Sequence, residues 1–239
     1  MQLLAFIAAV SAAPIVRTLP ASMDTIHLDI PRGELVIVHD AAALHTTLTV
    51  MTHTWRSECA LVLDGDQAEA SARIVHDSGL AGLACHSPVV LVLAGDSALQ
   101  VNITAGSITT AATPGHQALH VGTGQVNGTM SEGVVRVAQG RVRLDHLRAP
   151  LDVHIQVGHI LLTYDAPPSG SVTARVDLGD VTVTLPEASA VHPQVYSTIG
   201  KQEQQLRAGD GALVWVESRL GRARLLAAQG GHQDHDPPR

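Results

Sequence analysis

A glycine followed by a short run of alternating apolar and polar residues recurs seven times from Gly106 onward. This repeat restricts the fold more than any other feature. Copies include GSITTA, GRVRLD, GHILLT and GDVTVT, and successive glycines are 18, 16, 18, 21, 21 and 21 residues apart. A second alternating run, such as VVRVAQ or LDVHIQV, precedes most of them. Each period therefore predicts two short strands that meet at a corner. The predicted corner glycines are Gly106, Gly124, Gly140, Gly158, Gly179, Gly200 and Gly221.

A period of this length with two strands predicts an all-β protein, built as a single-stranded β-solenoid (β-helix) with rungs of about 16–21 residues. One rung cannot bury its apolar side alone, whereas stacked rungs pair their backbones with neighbours about 4.8 Å away. Glycine adopts the backbone conformations that a corner needs. An antiparallel β-sandwich with glycine turns is the alternative, since it also places strands at short, regular intervals. The sevenfold recurrence favours the solenoid.

Composition supports a thin, repetitive core. Apolar residues make up 45% of the chain but aromatic residues only 2%, so the core must consist of Val, Leu, Ile and Ala. The formal net charge of -7 argues against nucleic acid as a partner. The copy at Gly200, GKQEQQ, has lost the apolar alternation. With the segment LVWVESRLGRARLL it is predicted to form a cap in which Trp215 covers the end of the aliphatic core.

The termini indicate an exported protein with one domain. Residues 1–12 are predicted to be a signal peptide cleaved before Ala13, although no Lys or Arg precedes its apolar run. Residues 13–229 form the predicted β-solenoid domain, with opening strands in 14–88 and regular rungs in 89–229, and residues 230–239 are a predicted disordered tail. No apolar segment is long enough for a membrane-spanning helix. In an oxidising compartment Cys59 and Cys85 are expected to form a disulfide; two buried free thiols are the alternative.

Catalytic and metal-binding patterns are weak. The sequence has no Gly-x-Ser-x-Gly, His-Glu-x-x-His, phosphate-loop or Cys-x-x-Cys motif. Asp64, Asp66 and Glu69 are more readily explained as a turn than as a calcium site. The 14 histidines are mostly explained as polar surface. We therefore predict no enzyme activity, no cofactor and no metal.

The rungs between Val89 and Thr198 resemble the adhesin-like domain family of bacterial envelope proteins. The residues that carry the resemblance are the entry segment SPVVLVLAGDSALQVNITAGSITTAA and the late phrase GDVTVTLP. Head domains of auto-transporter-like adhesins and the toast-rack β-solenoids of envelope-stress proteins are similar in style. The resemblance implies a β-helical fold, no catalytic activity and a location in the periplasm, at the outer surface or outside the cell. It transfers no active site.

The expected function is that of a non-catalytic, exported structural or adhesive module at the bacterial envelope or surface. Its expected partners are further copies of itself, joined end to end or laterally, or other envelope components. One alternative is an envelope-stress sensor that binds a peptide or a lipid-like ligand, and an exposed apolar groove or patch would favour it. A more distant alternative is a carbohydrate-active β-helix enzyme.

Overall fold

The computed structural model describes residues 13–19, 23–52, 59–65, 69–76, 85–111 and 113–228. Within these ranges the chain forms strands and connecting segments without a helix, so the all-β prediction is confirmed. The strands are β1 (Ile15–Leu19), β2 (Thr25–His39), β3 (Thr46–Val50), β4 (Cys59–Gly65), β5 (Glu69–His76), β6 (His86–Leu93), β7 (Ala98–Thr110), β8 (Gln117–Gly128), β9 (Gly133–Leu147), β10 (Leu151–Tyr164), β11 (Val172–Pro186), β12 (Val191–Gln204) and β13 (Ala212–Ala228).

All thirteen strands belong to one mixed sheet that is not closed on itself. Its main body is a parallel stack in the order β2-β7-β8-β9-β10-β11-β13-β12. Strand β2 also pairs in parallel with β5 through its first half and with β6 through its second half. The pairs β1–β3, β3–β6 and β4–β5 are antiparallel. The stack therefore begins at β2, inside the segment predicted to hold only opening strands.

The two short strands predicted for each period form one continuous strand that changes its buried face at the glycine. In β10, Ile155 and Ile160 are both buried, although residues five apart lie on opposite faces of a straight strand. Gly158 lies between them with a φ of +146°, a conformation that L side chains rarely adopt. The backbone therefore turns over at the glycine, so that the half-strands before and after it both bury their aliphatic residues.

The corner glycines lie in register and form a column across the stack. All seven predicted positions have φ between +137° and +151°. A Cβ atom on Gly140 would lie 1.6 Å from the carbonyl oxygen of Gly124, and the other six have similar contacts with a neighbouring glycine. Gly33 of β2 is an eighth member, aligned with Gly106, and the sequence repeat did not reveal it. Close stacking of main chain on main chain thus requires glycine at this position in every row.

The core consists of aliphatic columns that follow the same register. One column contains Leu28, Val101, Leu119, Val135 and Val153, each at most 2% exposed. A 4.8 Å spacing between rows suits side chains of this size. The columns confirm the expectation that Val, Leu, Ile and Ala build the interior.

Tyr164, at the end of β10, is the one aromatic side chain in the described core. Its hydroxyl donates a long hydrogen bond of 3.4 Å to the carbonyl oxygen of Ala149. Burial disfavours the charged phenolate and raises the pKa of Tyr164 far above its usual value.

The last two strands exchange their order in the stack. Strand β13 fills the row between β11 and β12, so β12 is the terminal row. Gln202 and Gln204 of β12 stand in register with the buried Ala223 and Leu225 of β13. The connecting segment after β12 contributes Leu206, which is 5% exposed and packs into the core. At this end the register therefore finishes in exposed glutamines, with Leu206 as the buried apolar residue that follows them.

Trp215 is not positioned as the predicted cap. It lies on β13, which is the penultimate row, and it alternates with Val214 and Val216, which are fully buried. Since successive side chains of a strand point to opposite faces, the indole lies on the outer face of the sheet rather than over the end of the core. The buried apolar side chain next to the terminal strand is instead Leu206.

The disulfide prediction is confirmed. Cys59 and Cys85 are bonded, with their Cα atoms 5.8 Å apart, and link β4 to the residue that precedes β6. Cys85 is fully buried. The predicted signal peptide (residues 1–12) and disordered tail (residues 230–239) lie outside the described residues.

Candidate functional site

The outer face of the half-strands that precede the glycines carries a network of ion pairs, which we call the first-half face. Arg136 of β9 binds Asp152 of β10 through both the carboxylate and the carbonyl oxygen of that residue. The carboxylate of Asp177 on β11 lies 3.4 Å from His154 Nε2 and 3.3 Å from Arg219 Nη1. The parallel register places these residues on adjacent rows. The face is thus a set of mutually satisfied pairs and not a cluster of unpaired acids.

The first-half face also carries a pair of aromatic side chains whose contact is not evident from the sequence, because the two residues are far apart in the chain. Trp215 of β13 and Tyr196 of β12 have ring centroids 4.9 Å apart. The guanidinium of Arg175, on β11, lies 5.2 Å from the Trp215 ring centroid on the neighbouring row. Glu217 accepts a 3.0 Å hydrogen bond from Trp215 Nε1 and forms an ion pair of 3.5 Å with Arg175. Trp215 therefore joins the last three rows across their outer face.

A row of exposed aliphatic residues lies directly before the glycine column, and we call it the aliphatic row. It consists of Val157, Leu178, Leu220 and Ile199 on the adjacent strands β10, β11, β13 and β12. Their exposed fractions are 41%, 45%, 44% and 64%. The exposure rises to its highest value at the terminal strand. A line of aliphatic side chains in water is unusual enough to indicate a contact surface.

Ion pairs border the aliphatic row. Arg219 and Asp177 lie before it, and Arg222 and Asp180 lie after it. Arg222 Nη2 donates to Asp180 Oδ2 at 2.7 Å, and its backbone N–H donates to Oδ1 at 2.9 Å. The hydrogen bond from the Arg222 side chain holds the pKa of the Asp180 carboxyl below its usual value. An apolar strip with a satisfied polar rim resembles the anatomy of a protein interface.

A groove of about 780 Å³ follows the glycine column on the opposite half of the stack, across β2, β7, β8, β9 and β10, and we call it the corner groove. Gly106, Gly124 and Gly140 form part of its floor, where the absence of side chains leaves the main chain accessible. Polar side chains from the positions after the glycines line one wall.

The terminal strand β12 pairs only with β13 along most of its length. Its first residue, Val191, has a further bridge to Ala208 of the connecting segment, and the Gly209 N–H donates to the Val191 carbonyl. Beyond this point no described strand covers the second edge of β12. That edge ends with the exposed residues Gly200–Gln204. An uncovered edge presents backbone donors and acceptors to a further strand.

Other residues considered from the sequence do not converge on a site. His120 and His154 lie two rows apart with Arg136 between them, so the two imidazoles are not direct neighbours. Asp64 accepts a hydrogen bond from the N–H of Gly65 at the end of β4, Glu69 Oε1 lies 2.7 Å from His27 Nε2, and Asp66 lies outside the described residues. Among the residues that the structure describes, no three metal-ligating side chains lie close enough to hold an ion. Nor do those residues include a helix of the length and apolarity needed to cross a membrane.

Comparisons with known proteins find structural neighbours at low sequence identity. No family model matches the chain, and no curated protein matches it in sequence. A candidate cell adhesion protein from Clostridium sporogenes is 13% identical, with 90% of this chain and 99% of the other covered and a TM-score of 0.39. A candidate adhesin from Bacteroides fragilis is 10% identical, with 91% and 98% covered and a TM-score of 0.46. A candidate lipid-binding protein from Parabacteroides distasonis is 11% identical, with 90% and 97% covered and a TM-score of 0.33. At these values the likeness carries no functional inference.

Proposed function

We propose that the protein is a non-catalytic, exported β-solenoid with a structural or adhesive role at the bacterial envelope or surface. Each long strand, with its glycine and the connection that follows, would form one turn of the solenoid. The parallel register and the burial of both half-strands support this arrangement. The disulfide supports export, because such bonds persist in oxidising compartments.

The observation that carries the proposal is the uncovered edge of β12, and the partner we propose for it is a second copy of the chain. Lys201 and Glu203 are two residues apart on this edge and both side chains are exposed. If two β12 strands pair antiparallel about Gln202, Lys201 of each copy lies directly opposite Glu203 of the other. Opposite charges in directly facing positions stabilise an antiparallel pair. A lysine on an edge usually discourages pairing, but here each lysine would meet a carboxylate.

Symmetric pairing at one edge has a definite consequence for assembly size. An interface that uses the same strand from both copies is closed by a two-fold axis and yields a dimer. Pairing of β12 with a different edge of the next copy would instead be open-ended and yield a filament. The paired β12 strands would also bring the two Ile199 side chains, which are 64% exposed, close to the same interface.

The test is light scattering after size-exclusion chromatography, together with electron microscopy, on the chain from Ala13 onward under non-reducing conditions. We expect a dimer for the wild type. Lys201→Glu should give a monomer, because the introduced carboxylate would face Glu203 of the partner. The double variant Lys201→Glu/Glu203→Lys should restore the dimer, because it exchanges the two charges without changing their pairing.

Arg207→Glu is the matched control, since it makes the same change of charge at an exposed position outside the paired segment. It should remain a dimer. A wild type that is monomeric at high protein concentration would overturn self-association. If the double variant stays monomeric while the wild type is a dimer, the proposed register is wrong. If the wild type forms filaments, the copies pair head to tail and the symmetric pair is wrong.

The aliphatic row supports a second candidate function, a sensor that binds an extended apolar peptide or a lipid-like ligand. This candidate predicts that a dye specific for apolar surfaces binds the native protein and that Leu178→Ser weakens the binding. Because Leu178 lies two rows from β12, this substitution should leave the oligomeric state unchanged. Equal dye binding by the wild type and the variant would remove the sensor hypothesis.

A further inference from the structure

The corner groove has a floor made largely of main chain. Gly33, Gly106, Gly124 and Gly140 follow one another on β2, β7, β8 and β9, and all four line the groove. Ala105 adds a small side chain on one side. Glycine permits the close approach of a ligand to the backbone. A flat, extended ligand can therefore lie along this floor.

One wall of the groove is a ladder of hydrogen-bonding groups. The residues directly after the glycines on five adjacent strands supply a carboxylate, a hydroxyl, an amide, a guanidinium and an imidazole: Glu34, Ser107, Gln125, Arg141 and His159. The strand spacing sets their repeat at about 4.8 Å and the length of the ladder at about 19 Å. A repeat of this size is close to the length of one sugar unit in an extended glycan.

Arginines outnumber carboxylates in the lining of the groove, although the chain as a whole carries a net charge of -7. Arg32 and Arg141 line it, against Glu34 as the one carboxylate of the lining. Arg141 forms no ion pair among the described residues, whereas Arg143 on the same strand is held by Asp145 at 3.1 Å. Arg141 is thus available for an anion in the groove.

We infer that the corner groove binds an extended anionic glycan, with Arg141 and His159 contacting its acidic groups and the ladder contacting its hydroxyls. A polypeptide strand fits less well, because its residues repeat at about 3.4 Å and the groove has no apolar pockets for alternate side chains. Single-stranded nucleic acid fits less well too, because no aromatic side chain lines the groove to stack on bases. This surface lies on the rows away from β12 and is independent of the proposed dimer.

The absence of aromatic platforms also sets the character of the binding. Hydrogen bonds and charge must supply the affinity, so binding should be weak for a single site and should fall as salt is added. A dimer would display two such grooves, and a long glycan that spanned both would be held more tightly than a short one.

The experiment measures binding of a short oligogalacturonate to the chain from Ala13 onward by calorimetry and by NMR. A neutral cello-oligosaccharide and an oligoglutamate of equal length serve as comparison probes. We expect the galacturonate to bind best of the three. Arg141→Gln should weaken its binding by about tenfold, as expected for loss of a hydrogen bond to a charged group. Arg143→Gln, which makes the same chemical change on the same strand outside the groove, should change it by less than about twofold.

A second variant tests the position of the site without removing a charge. Ser107→Trp should fill the groove and abolish binding, while circular dichroism reports whether the fold is intact. Three results would overturn the inference: no binding of galacturonate by the wild type, equal binding of oligoglutamate, or unchanged binding by Ser107→Trp. Because glycan binding is read from probes and self-association from molecular mass, failure of one proposal is distinguishable from failure of the other.

Discussion

Replacement of Gly140 by alanine tests the reasoning about the glycine column most directly. Gly140 lies in the middle of the column, with a φ of +148°. A Cβ atom there would lie 1.6 Å from the carbonyl oxygen of Gly124 and 2.7 Å from its carbonyl carbon. Both contacts are with main chain, so no side chain can move aside to relieve them. The strands β8 and β9 would have to separate at the corner.

The expected cost has two parts. Holding a non-glycine residue in this backbone region costs about 1–3 kcal/mol. Separating the strands breaks backbone hydrogen bonds worth about 1 kcal/mol each, and we expect two of them to be lost. Gly140→Ala should therefore lower the free energy of unfolding by about 3–5 kcal/mol.

The assay is urea unfolding followed by circular dichroism, with two comparison variants. Gly170→Ala changes a glycine without a left-handed φ, whose nearest neighbours are side-chain carbons of Pro150 at 3.3 Å and beyond, so its effect should stay within about 0.5 kcal/mol. Gly200→Ala lies on the terminal strand, which can shift outward, and should cost about 1–3 kcal/mol from strain alone.

The order of the three variants decides the outcome. If Gly140→Ala costs no more than Gly170→Ala, the column does not depend on close main-chain packing and the reasoning is refuted. If Gly140→Ala yields no folded protein, the comparison of Gly200→Ala with Gly170→Ala still tests the same idea, because only the former introduces a left-handed alanine.

Three further predictions concern other parts of the molecule. Reduction of the Cys59–Cys85 bond, which spans 26 residues, should lower stability by about 3.5 kcal/mol, seen as a shift in melting temperature with reductant that the double serine variant does not show. Burial raises the pKa of Tyr164 in the folded state. The stabilisation that the neutral phenol contributes is therefore complete below the unfolded pKa of about 10 and is lost as the pH rises further. Above that pH, urea titrations should show that the wild type loses stability more steeply than Tyr164→Phe. Leu206→Ala should lower the free energy of unfolding by about 2–3 kcal/mol because Leu206 is buried in the core. Trp215→Ala, on the outer face, should lower it by less. A larger loss for Trp215→Ala in the same unfolding assay would favour the predicted indole cap.

The features that could be predicted from the sequence are those fixed by local chemistry. Alternation of apolar and polar residues indicates strands because side chains of a strand alternate between faces. Recurring glycines indicate corners because few other residues adopt the required φ. The aliphatic core could be predicted from composition, because aromatic residues make up only 2% of the chain. The cysteine pair was foreseen from compartment and count, without knowledge of the fold.

The features that could not be predicted depend on which strands are neighbours in the sheet. Gly33 was missed because the excursion through β3–β6 separates it from Gly106 in sequence, although the two are direct neighbours in the stack. The contact between Trp215 and Tyr196 depends on the register of the last rows. One signal was available for Trp215: it stands between two valines in an alternating strand, which already indicates that it faces away from the core.

The exchange of β12 and β13 has a consequence for the order in which the chain can be assembled. During synthesis β12 leaves the ribosome first, yet the row that joins it to β11 does not exist until β13 has also emerged. The rows up to β11 can be added one at a time, each on the edge left by the last. The final two must arrive together, and the chain then leaves from an interior row. A duplicated repeat appended after β13 would find both edges of its predecessor already paired, so it could extend the stack only at the uncovered edge of β12.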